Sequence, residues 1–146
     1  MITLFPTPYP DELLYSTIAR YHVLSGNTLY CQTAEDLFGF RRAHSSVVMP
    51  LRLGHLGRMT TSFGVTLDKL IHHTLYPYYT AFQTEVLCQE VYDVQLQNKS
   101  VSVSAKLGAV GNTDIIPRHL RFCPKCYAED QQRCGEGYWH RMHQTP

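Results

Sequence analysis

Hydrophobic positions recur every three or four residues along much of this chain, a period that belongs to helices rather than strands. The clearest run lies between Glu12 and Leu24, where Leu13, Leu14, Ile18, Tyr21 and Leu24 share one helical face. Asp11 stands where an N-cap would, and Gly26 where a glycine closing the helix would. Ahead of it Pro6, Pro8 and Pro10 alternate. Each confines itself and its predecessor to extended backbone, so residues 1–10 read as an arm laid along the domain.

A second, short helix is predicted from Thr33, with Asp36 in place of the usual capping-box glutamate and Leu37, Phe38 and Phe40 as its buried face. Pro50 introduces a third, from Leu51 to about Phe63, with Leu53, Leu56 and Met59 in step and Gly64 after it. Thr66 can cap a fourth, through Leu67, Leu70, Ile71 and Leu75, which Pro77 ends. Tyr76, Tyr78, Tyr79 and Phe82 follow as an aromatic cluster, and a fifth helix runs from Thr84 to Gln97. Beyond it the period fades. Val101 and Val103 alternate as in a short strand, but the small, polar composition suits a linker better.

The pattern predicts a mainly α protein: a helical domain with helix-turn-helix character over residues 1–100, a linker over 101–114 and a second module over 115–146. The helix-turn-helix reading rests on helix one, a turn and a short helix two, an arrangement that many helical domains share.

Composition narrows the function. The 146 residues suffice for one domain with a small appended module, and a core of that size needs no disulfide. A net charge of +1 and a pI near 7.7 give no global electrostatic case for nucleic acid, so any DNA contact must be local. The start lacks a basic segment leading into an apolar one, and no apolar run approaches a membrane span of roughly 20 residues, so a cytoplasmic protein is expected. Nucleophile elbow, P-loop, H-E-x-x-H and glycine-rich dinucleotide turn are all missing, which argues against an enzyme.

Five cysteines without a secretory signal point to metal or redox chemistry before disulfides. Cys123-Pro124-Lys125-Cys126 is the sharpest local signal, since two thiolates at this spacing can grip one Zn²⁺ from a tight turn. A redox pair would want a strand before it and a helix opening at it. A structural zinc site needs four ligands. His140 and His143 can complete it as C-x2-C-x13-H-x2-H, a final gap one residue short of the usual finger, and Cys134 is another donor. The histidines can equally flank Trp139 without touching metal. Arg41 and Arg42, Arg52 and Arg58, and Arg118 and Arg121 are phosphate contacts or ordinary solvated surface. His72 and His73 read as one exposed and one half-buried histidine rather than a catalytic pair.

Three blocks carry a family resemblance. The opening "FPTPYPDELLYSTIARYHVLSGN", then "LIHHTLYPYYTAF", then Arg121-Phe122-Cys123-Pro124-x-Cys126 with Gly135-Glu136-x-Tyr138-Trp139-x-Arg141 lie in order across the chain. Together they resemble the TniQ family, matching the N-terminal part of its longer members. The resemblance implies a helical fold with helix-turn-helix character followed by zinc-finger modules. It implies a non-catalytic target selector of a DNA transposon, which recognises target DNA and recruits the AAA+ ATPase TnsC and, through it, other transposase subunits. It also implies that Cys123 and Cys126 are completed by a downstream C-x2-H. The chain stops at Pro146, where that second half should start, so an incomplete zinc site in a truncated module is expected.

Overall fold

The computed structural model describes residues 2–41, 49–97, 103 and 123–135. Seven α-helices occur among them: α1 (Leu14–Leu24), α2 (Tyr30–Phe38), α3 (Leu53–Thr60), α4 (Leu67–His72), α5 (Tyr76–Thr80), α6 (Glu85–Leu96) and α7 (Pro124–Cys134). A 3-10 turn, Thr61–Phe63, continues α3, and there is no strand among the described residues.

Helix α3 is the hub, packing against α2, α4 and α6. Its Leu53 and Leu56 join Leu14, Ile18, Leu37, Phe38 and Leu70 in the larger core cluster. Fully burying each such side chain contributes roughly 1.5–3 kcal/mol. Close approach of α6 depends on Gly54, where a Cβ would lie 2.9 Å from the Leu96 carbonyl oxygen. A smaller cluster gathers Leu13, Met49, Leu75, Val91 and Val94. Val103, inside the stretch read as a linker, is buried in that same cluster and has helical backbone.

Several boundaries differ from those the pattern predicts, in some cases because a tertiary contact outweighs a local rule. Asp11 does not cap α1; it has a left-handed backbone, φ 59°, and the helix begins at Leu14. Glu12 is fully buried instead of serving the helix end. Its Oε2 accepts from the Tyr9 N–H and from Arg20 Nη1, both at 2.8 Å, while the Arg20 guanidinium sits 3.9 Å from the Tyr9 ring centroid. This staple ties the proline arm to α1. Thr33 likewise lies inside α2, where its hydroxyl meets His22 Nδ1 at 2.7 Å. The start of α2 is closed by Gln32 Oε1, which accepts from the Leu29 and Thr28 N–H groups. Pro77 does not close the helical region but sits in the first turn of α5, where its missing N–H costs nothing. Leu24 and Phe40, both expected inside, are 59% and 46% exposed.

The α1–α2 pair has the predicted connectivity. Residues 25–29 join the helices, and Asp36 Oδ2 accepts from Tyr21 Oη and Asn27 Nδ2. Burial and the Asp36 charge push the Tyr21 phenol up to about 12. Yet α2 carries Glu35 and Asp36 and no lysine or arginine, which makes it a poor recognition helix.

Candidate nucleic-acid interface and metal knuckle

Cationic side chains converge where α2 ends and α3 begins. Gly39, at φ 66°, turns the chain out of α2 in the left-handed conformation that glycine adopts without penalty. Phe40 and Arg41 follow on the surface. Arg52, immediately before α3, is also left-handed at φ 64°, a conformation costing a non-glycine residue about 1–2 kcal/mol. That strain places its guanidinium 4.7 Å from the Phe40 ring centroid, a stacking worth about 0.5–1 kcal/mol.

Gly39 also makes room for His55, because a Cβ at Gly39 would stand 2.9 Å from the imidazole Cε1. Burial, then the charges of Arg58 and Arg52, hold His55 below the usual histidine range. A neutral imidazole between two arginines marks a positive potential that an anion would relieve. Arg58 is exposed on α3 and makes no ion pair among the described residues. Arg41 pairs with Glu35 at 3.3 Å, with both side chains more than half exposed, a contact worth about 0–1 kcal/mol and easily exchanged for another anion. The corner therefore offers the Arg52 and Arg58 guanidinium groups, a half-exposed aromatic ring and an imidazole, with Arg41 next to Phe40 in sequence and paired to α2. Such a set can hold phosphate oxygens and stack a base or sugar.

Of the six arginines weighed from sequence as phosphate contacts, Arg52 and Arg58 lie in this corner with Arg41 next to it, whereas Arg42, Arg118 and Arg121 lie outside the described residues. Sequence reasoning missed Phe40, assigned to the core, and His55, which no motif marks. Spatial convergence is the signal for both. His72 is exposed and His73 half-buried, as expected, and His73 Nδ1 donates to the Glu12 carbonyl at 2.7 Å, a structural role.

The cysteine pair opens α7. Cys123 is its N-cap, Pro124 occupies the first turn, and Cys123 Sγ accepts from the Cys126 N–H at 3.5 Å. Hydrogen bonds from Cys126, and from the Lys125 backbone, pull the Cys123 thiol below its usual range, against opposition from desolvation and Glu129. Metal binding requires the thiolate, so this turn suits two of the four donors of a zinc site. Among the described residues no third histidine, cysteine, aspartate or glutamate joins them. The side chain of Cys134, and all of His140 and His143, lie outside the described residues.

The family model for TniQ matches residues 3–146. The chain belongs to the TniQ family. It is also similar to the Transposon Tn7 transposition protein TnsD of Escherichia coli, with 32% identity over 139 residues, which are 94% of this chain and 27% of that protein. This TniQ chain thus spans about a quarter of the length of that relative. No helix among the described residues of this TniQ chain is long and apolar enough to cross a membrane.

Proposed function

We propose that the chain acts as a non-catalytic target-site selection adaptor of a Tn7-type DNA transposon, recognising target DNA and recruiting the AAA+ ATPase TnsC. The observation that carries this reading is the family match over residues 3–146, joined to likeness with a transposition protein along 94% of the chain. The α2–α3 corner supports a local DNA contact, with Arg41, Arg52 and Arg58 on phosphates and Phe40 against the sugar-base edge. In this reading Arg42, Arg118 and Arg121 are further phosphate contacts, and other transposase subunits assemble through the ATPase. Cys123 and Cys126 would hold Zn²⁺ as two of its ligands. The metal would clamp the fold of the C-terminal module and take no part in catalysis.

A second reading is a protein-interaction module that docks on the ATPase and does not itself bind DNA. The near-neutral net charge of +1 favours it. A mobility-shift assay with labelled attachment-site duplex, the chain and the ATPase separates the two. The adaptor reading predicts a shift by the chain alone and a further, chain-dependent shift with the ATPase. The docking reading predicts only the complex of chain with ATPase, and absence of both overturns each.

A further inference from the structure

Arg52, His55 and Arg58 follow one another three residues apart along the start of α3. Residues at that spacing on a helix are neighbours, which sets Arg58 beside His55. Arg52 stands one turn before it, with its guanidinium on the Phe40 ring. The imidazole is seated against the turn that Gly39 makes, where a Cβ would come within 2.9, 3.2 and 3.3 Å of Cε1, Nε2 and Nδ1. That seat holds the ring half-buried, and among the described residues it makes no hydrogen bond.

The charged groups on the elements packed against α3 have other engagements or stand on the surface. On α2, Glu35 pairs with Arg41, and Asp36 accepts from Tyr21 and Asn27. On α4, Asp68 accepts from Tyr92 Oη, Lys69 donates to the Gly64 carbonyl and His72 is exposed. On α6, Asp93 accepts from Gln89, while Glu85 and Glu90 are exposed. The 3-10 turn Thr61–Phe63 carries no charge. The charges that act on His55 are those of Arg58 and Arg52, both positive.

A phosphate oxyanion on the two guanidinium groups reverses that field. It offsets the charges that oppose protonation of the ring and gives an imidazolium N–H an acceptor. Such coupling is reciprocal: if bound phosphate favours the proton, the proton favours phosphate by the same factor. We propose that DNA binding at the α2–α3 corner takes up one proton on His55, so that the grip on the phosphate backbone tightens as pH falls. This rests on the DNA-contact reading above and adds a regulation to it. At neutral pH the arginines bind alone; in acid His55 supplies a further positive charge.

The test uses the full chain and a labelled DNA duplex at constant ionic strength, with affinity read by fluorescence anisotropy between about pH 7.5 and 5.5. Each unit by which bound phosphate raises the His55 pKa is worth up to about tenfold in affinity. Wild type should therefore gain at least about threefold more affinity over this range than His55→Asn, whose other histidines are unchanged. Near pH 7.5 the two should bind alike, since neutral histidine and asparagine carry no charge. A second readout needs no variant: the His55 Cε1–H resonance, titrated by NMR in wild type, should shift to a higher pKa when duplex is added. Equal pH dependence of the two folded proteins, or a His55 titration unmoved by duplex, overturns the inference and leaves the DNA contact standing. Weakening of His55→Asn by one factor at every pH assigns the ring a purely structural role and also overturns it. Failure of wild type to bind the duplex at any pH overturns both readings.

Discussion

Replacing Arg20 with alanine should destabilise this domain far more than removal of an ordinary surface arginine. Arg20 Nη1 lies 2.8 Å from Glu12 Oε2, and the two side chains are 23% and 0% exposed. The other Glu12 oxygen is buried with no hydrogen-bond partner among the described residues. In Arg20→Ala the carboxylate would keep only the Tyr9 N–H, at 2.8 Å. Breaking a buried pair from one side costs about 3–5 kcal/mol, and partial exposure of Arg20 argues for the lower end, about 3 kcal/mol. Lost stacking on Tyr9 and the lost bond from Arg20 Nη1 to the Thr7 carbonyl fall within that figure. For a chain of this size about 3 kcal/mol lowers Tm by roughly 6–12 °C. Calorimetry on wild type, Arg20→Ala, Glu12→Gln and the double variant reads both the loss and the coupling. The double variant should recover at least about 1 kcal/mol relative to the sum of the singles, because it buries no unpaired charge. A Tm drop under about 2 °C for Arg20→Ala, or strict additivity, would refute the reasoning.

Three further outcomes follow from the same geometry. Alanine at an exposed helix-interior glycine usually stabilises by about 1 kcal/mol, but Gly54→Ala should destabilise, since its Cβ would meet the Leu96 carbonyl at 2.9 Å; a raised Tm would contradict the α3–α6 contact. Folding holds the His55 pKa below 6.5, so the unfolded chain binds more protons there; its contribution is present above that value and fades as pH falls below it. His55→Asn should therefore lose less Tm than wild type between about pH 7.5 and 5.5, and identical slopes would rule this out. Cys123→Ser should lower zinc content, measured by mass spectrometry on the purified protein; equal zinc in both proteins would remove Cys123 from the ligand set.

Much of the helical order was legible because Leu, Ile and Val positions along each helix are dictated by burial, which leaves a periodic trace. Helix starts were less legible. Asp11 and Thr33 have the right chemistry for caps, yet Glu12 is drawn inward by Arg20, and Thr33 bonds His22 across the α1–α2 pair. Those partners stand eight and eleven residues away, beyond the reach of a local capping rule. The cationic corner was hidden for a related reason. Phe40 and Arg41 leave α2, while Arg52, His55 and Arg58 enter with α3 more than ten residues later, so no linear cluster announces them. Phe40 was misread as core because periodicity counts it inside, whereas Gly39 ends the helix first. The cysteine pair was legible from spacing alone. That Cys123 caps a helix, and owes its lowered pKa to that position, follows from the turn geometry, which the C-x2-C spacing does not specify.

The measurement that bears most directly on a DNA-contacting adaptor is the salt dependence of binding to a labelled duplex, followed by fluorescence anisotropy for wild type and Arg52→Ala/Arg58→Ala. Each phosphate contact contributes about 0.9 to the slope of log affinity against log salt, so the double variant should bind more weakly with a slope shallower by about 1.8. A folded double variant with the slope and affinity of wild type would contradict the assignment of the α2–α3 corner to DNA.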